Sequence, residues 1–288
     1  METGLFLVVL ILYTSAAVVG VRRLSRGRDR YGWLLTALIA LGVSLESLIL
    51  VFRAIVTGSF PLTGLFESMI FLTVALGLTF LVFSAAVRQV WFGAVMAPLI
   101  WTTALLSGLV AQPASRLQSA AQTPWVIAHG MAMVLAAGMI GLAAGTAALF
   151  LVSRRRLKHK QLQKLLGRMP SIEKLEDMNL FGLRACLVLM TFGLVTGIGT
   201  AMVRSAVLGI SAFEWLIDAK IVLIGAVWLL LAFILGFRKA AALKGRVTAW
   251  ITVGAFLLIM FAFVGTAIFC GSKHDFRADK TNRIETRQ

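Results

Sequence analysis

Long apolar runs alternate with short, mostly basic connectors along the chain. The runs lie at approximately 4–21, 33–52, 65–87, 90–111, 125–152, 178–203, 219–237 and 247–270. A helix crosses the hydrocarbon core of a bilayer in ~20 residues, and a helix or a closed barrel is needed there to satisfy the backbone hydrogen bonds. The pattern predicts an all-α integral membrane protein, a bundle of eight transmembrane helices within residues 1–276. Residues 277–288 then form a polar external C-terminal tail.

The connectors set the orientation. Those at 22–32, 88–89, 153–177 and 238–246 carry five, one, eight and four Lys/Arg, eighteen in all. The other side carries nine: Arg53, Arg116, Arg204, Lys220 and five beyond residue 270. Basic residues near span ends stay in the cytoplasm. Both termini are therefore expected outside the cell inner (cytoplasmic) membrane. No Lys or Arg precedes the first run, whereas Arg22, Arg23, Arg26, Arg28 and Arg30 follow it. That is the pattern of a permanent first helix, not of a signal peptide with a basic start.

Composition adds to this picture. The chain is 59% hydrophobic and 14% charged, with a mean hydropathy of +0.92. An ordinary soluble domain is excluded. The net charge of +16 sits between the apolar runs. It reads as topology signal and lipid-headgroup contact, not as a nucleic-acid surface. Cys186 and Cys270 form no CxxC pair and read as small apolar residues.

Connector 153–177 predicts a short cytoplasmic helix that stops and restarts at Pro170-Ser171. His159 lies in this basic stretch and is expected to be solvated. Gly141 and Gly145, and likewise Gly193 and Gly197, have the four-residue spacing that lets helices pack closely in lipid.

The polar groups that interrupt the pattern are the candidates for chemistry. Glu46 lies within the second run, where an isolated carboxylate is costly and is expected to face the bundle interior. Arg184 lies in the sixth run, nearer the cytoplasmic side, and is expected to reach toward the surface. Glu67 falls at the start of the third run and reads as a helix cap. His129 and His274 approach the same outer boundary from two different spans. Paired imidazoles at one depth fit haem-iron ligation; polar-tipped rings are equally at home at the interface. Segment 204–218 carries Phe213, Trp215, Glu214 and Asp218. It fits a short interfacial helix or a platform for a flat apolar ligand.

Four passages, in order, resemble the cytochrome c assembly family of CcsA/ResC and HemX types. Gly58-Ser-Phe-Pro-Leu-Thr-Gly-Leu-Phe-Glu-Ser68 is similar to the family's G-H-F-P-L-S-N-L-Y-E-S. Leu117-Gln118 with Pro124-Trp125-Val-Ile-Ala-His129 is similar to the segment of its first external histidine. Pro170-Ser171-Ile172 with Gly193-Leu-Val-Thr-Gly197 is the third passage, and Phe263-Val264-Gly265 through Gly271-Ser-Lys-His274 the fourth. The resemblance spans residues 40–276.

The resemblance implies a haem-handling membrane protein that presents or delivers haem at the outer face for cytochrome c biogenesis. His129 and His274 become axial ligands of haem b. Trp215 and Asp218 fall in the haem-facing segment, and apocytochrome c and a maturation protein are the implied partners. Catalysis is implied at most as one component of a synthase. The family's W-G-x-x-W-x-W-D-P-K-E pattern is only partly kept at 206–221, through Gly209, Asp218 and Lys220. Glu46 stands where many members have a histidine. These differences bring the chain closer to the shorter HemX-like branch, which leaves a regulatory or scaffolding subunit without haem as the alternative. A small-solute transporter using Glu46 as a proton site is a third class.

Overall fold

The computed structural model describes residues 2–26, 31–58, 65–86, 90–110, 124–158, 171–208, 218–237 and 245–265. Among these residues the chain is helical. The helices are α1 (Glu2–Arg26), α2 (Gly32–Thr57), α3 (Leu65–Ala86), α4 (Val90–Val110), α5 (Pro124–Lys158), α6 (Ile172–Leu208), α7 (Ala219–Phe237) and α8 (Gly245–Met260). A π-helical turn, Phe261–Gly265, continues α8.

Eight helices match the eight apolar runs. Seven are long and apolar enough to cross a membrane; the apolar part of α3, Phe66–Val82, is shorter. The outer surface is apolar, with Ile11, Val56, Val82, Val188 and Leu229 among many large exposed side chains. Water would penalise such a surface, whereas hydrocarbon accepts it. Multi-pass membrane insertion follows.

Local chemistry explains several helix ends. Gly58 adopts φ +60 and closes α2, a left-handed conformation that costs glycine no Cβ clash. Ser171 starts α6: its Oγ accepts from the Lys174 N–H at 3.2 Å. Ser171 is thus a helix start, as expected. Residues 172–176 form the opening turns of α6 itself, and the rest of the expected cytoplasmic helix, 159–170, lies outside the described residues. No Pro interrupts the chain from Ile172 to Leu208, so one helix of 37 residues runs through. For the same reason residues 204–208 belong to α6 and not to a loop. His159, Trp215, Cys270 and His274, with segments 159–170 and 209–217, lie outside the described residues.

The helices pack in two sets, α1–α4 and α5–α8, and α5 joins them by packing against α3 and α4. Small residues set the closest approaches. A Cβ on Gly145 would come within 2.3 Å of Val95 Cγ1, and one on Gly182 within 2.8 Å of Ala143 Cβ. Gly193 meets Met133 Sδ at 2.6 Å on the same measure. The glycines at 141, 145, 193 and 197 therefore serve close helix packing, as their spacing predicts.

Contacts also fix which helix ends share a side. Phe6 of α1 meets Gly108 of α4, and Arg53 of α2 bonds Glu2 and Glu67. Val95 and Leu99 of α4 face Gly145 and Gly141 of α5, so these two helices are antiparallel. The starts of α1, α3 and α5 thus lie at one end with the ends of α2 and α4. Arg154, Arg155, Lys174 and Arg246 fall at the other end.

Candidate functional site

His129 sits near the start of α5, where that helix crosses the last third of α6. Gly193 and Gly197 present bare backbone to it. A Cβ on Gly197 would lie 3.0 Å from His129 Nδ1. The imidazole therefore fits because residue 197 has no side chain. Nδ1 lies 2.7 Å from the Gly193 carbonyl oxygen. A carbonyl only accepts, so Nδ1 is the protonated, donating nitrogen. In the neutral ring the lone pair is then on Nε2. A histidine whose Nδ1–H is held by a backbone carbonyl is oriented as metal-ligating histidines commonly are. The donor chemistry at this position fits an axial ligand of haem iron.

The neighbours strengthen the placement. Trp125, one turn before His129, covers Gly199: a Cβ there would meet Trp125 Cε3 at 2.8 Å. The Gly193 carbonyl is also 3.1 Å from Thr196 Oγ1, which lies 2.8 Å from the Phe192 carbonyl. Asp218 caps α7, accepting the Lys220 N–H on Oδ1 at 2.9 Å and the Val222 N–H on its carbonyl at 3.0 Å. Lys220 Nζ stands 5.6 Å from the centre of the Phe263 ring in the π-helical turn.

The starts of α5 and α7 therefore meet the ends of α6 and α8. His129, Asp218 and the π-helical turn Phe261–Gly265 lie at that end. Trp215 and His274 lie outside the described residues. Asp218 has a structural duty as a cap, which the sequence pattern Asp-x-Lys before an apolar run signals.

A second polar group lies in the other set of helices. Glu46 is fully buried. The Tyr13 hydroxyl donates to Glu46 Oε2 at 2.9 Å, and Thr73 Oγ1 lies 2.8 Å from Glu46 Oε1. Gly42 makes room for the Tyr13 ring, whose Cε1 would be 2.3 Å from a Cβ there. The interior position expected for Glu46 is found. Arg184 is exposed on α6 and does not reach this group.

Glu67 lies in the first turn of α3, as expected, and is in addition a buried partner of Arg53 Nη1. Arg53 Nη2 and Nε also approach Glu2 Oε2, at 3.1 and 3.4 Å, and its guanidinium lies 4.8 Å from the Phe66 ring centre. Arg53 is on α2 and Glu67 on α3, so the pairing is tertiary and local helix rules do not reveal it. Tyr13 and Thr73 were likewise not singled out by sequence reasoning. The available signal was the rarity of tyrosine, two in 288 residues, at the centre of an apolar run.

A family model described as Cytochrome C assembly protein matches residues 62–271. "Protein HemX" of Brevibacillus brevis is 23% identical over 269 residues, covering 89% of this chain and 92% of that protein. An Azospirillum brasilense chain, "Uncharacterized 28.8 kDa protein in nifR3-like 5'region", is 27% identical over 206 residues, covering 70% and 73% of the two chains. No solved structure gives a significant match.

Proposed function

The chain belongs to the cytochrome c assembly protein family, and on that premise we propose that it is a haem-handling membrane protein of cytochrome c biogenesis. His129 and His274 would hold haem iron at the outer face. The observation that carries this reading is the 2.7 Å contact between His129 Nδ1 and the Gly193 carbonyl. It directs the lone pair to Nε2 and fixes the ring before any ligand arrives.

In this reading all eight helices cross the cell inner membrane. The eighteen basic residues of the connectors face the cytoplasm and both termini face outward. Haem, when bound, would supply the group that reacts with a thiol of apocytochrome c, and the half-buried His129 would hold it in position. By the family resemblance, Trp215 and Asp218 are assigned to the haem-facing segment in this reading. Asp218 acts there by holding the first turn of α7.

A second reading is a HemX-like regulatory or scaffolding subunit that binds no haem. It is favoured by similarity to Protein HemX along nearly the whole chain and by the tryptophan-poor 206–221 segment. Purification from haem-replete cells, followed by a haem stain and a visible spectrum, separates the two. Retained low-spin haem supports the first reading. A haem-free protein that stays folded supports the second.

A further inference from the structure

Three short oxygen–oxygen contacts meet at the junction of α1, α2 and α3. Tyr13 Oη is 2.9 Å from Glu46 Oε2. Thr73 Oγ1 is 2.8 Å from Glu46 Oε1 and 2.8 Å from the Ile70 carbonyl oxygen. A hydrogen between the oxygens is what makes such a contact favourable, although a helix threonine also shares one hydroxyl hydrogen between two carbonyls, as Thr196 does. Tyr13 supplies one and Thr73 supplies one. The Ile70 carbonyl has none to give, and neither does an ionised carboxylate. With Glu46 ionised, two hydrogens serve three contacts. Whichever acceptor takes the Thr73 hydrogen, the other short contact is left bare.

A carboxylic acid removes the shortfall. Glu46 then donates from Oε1 to Thr73 Oγ1, Thr73 donates to the Ile70 carbonyl, and Tyr13 donates to Oε2. We propose that this junction is an intramembrane proton-binding site, with the proton held on Glu46 between Tyr13 and Thr73.

The charges around the site agree with this count. Glu46 is fully buried. Arg53 is the other charged residue of α2, seven residues on, about 10 Å along the axis. It is already paired with Glu67 of α3 and Glu2 of α1. The remaining charges of α1 are Arg22, Arg23 and Arg26 at its far end, α3 has Glu67 alone, and α4 has none. No cation of these helices is left to balance a carboxylate at residue 46, and a lone anion at membrane depth is expensive. The proposal does not depend on haem.

Infrared spectroscopy of the purified full chain in phosphatidylcholine vesicles tests it. The wild-type minus Glu46→Gln difference spectrum should contain one carboxylic-acid C=O band that shifts on exchange into deuterium oxide. Gln is suited to the site because its amide donates to Thr73 and accepts from Tyr13. Tyr13→Phe should move the same band to higher frequency, since it removes the donor on Oε2. A difference spectrum with carboxylate stretches alone would overturn the proposal and leave the Thr73 hydrogen shared between two acceptors. If Glu46→Gln does not accumulate, the Tyr13→Phe comparison decides: a shifted acid band supports the site, and an unshifted spectrum rejects it.

Discussion

At the scale of single residues, His129 fits closely against the bare backbone of α6. Gly197→Ala places a methyl 3.0 Å from Nδ1 and should turn the imidazole out of its carbonyl bond. Gly138→Ala meets Leu72 Cδ1 only at 3.6 Å and is the matched control. Haem retained per protein should fall in the first variant and hold in the second, read from the visible absorbance of both. Arg53→Ala leaves Glu67 buried without its cation, and removing one partner of a buried pair costs about 3–5 kcal/mol. Thermal unfolding in detergent should show that loss, and Glu67→Gln combined with Arg53→Ala should recover part of it. The burial of Glu46 was legible in the sequence because a carboxylate within an apolar run has few tolerable places. Its partners were not. Tyr13, Thr73 and the Arg53–Glu67 pair are contacts between helices, and spacing along one helix carries no information on them.

At the scale of helices, the apolar runs located every element but understated several. Hydropathy ends a span where charge begins, whereas a helix ends where hydrogen bonding or backbone geometry stops it. Hence α5 continues through Arg154 and Arg155 to Lys158, and α6 starts at Ile172, before its apolar part. Ser171 was readable as a start signal because the side chain that caps is adjacent in sequence. Ser171→Ala should cost about 0.5–2 kcal/mol of helix stability. Amide hydrogen exchange should be faster at residues 172–175 in that variant and unchanged in the middle of α6. Uniform protection across α6 would show that the cap contributes nothing. The glycines of α5 and α6 were readable as packing sites by their spacing, yet their partners were not: Gly145 meets α4 while Gly193 meets α5.

For the whole molecule, the proposed eight crossings with basic connectors inside would set the orientation, and with it the compartment of the site. Reporter fusions at Gln288 and within 157–165 should report opposite sides, the latter cytoplasmic. The end of the bundle that carries His129 would then face outward. A cytoplasmic C-terminus would put that end on the wrong side for delivery to an external apocytochrome. The central claim is that His129 ligates haem, and the visible spectrum of the purified protein tests it most directly. Wild type should show a low-spin bis-histidine spectrum. His129→Ala should lose haem or become open to added imidazole, while His159→Ala should match wild type. Haem-free wild type from haem-replete cells, or equal haem loss in both histidine variants, would contradict the claim.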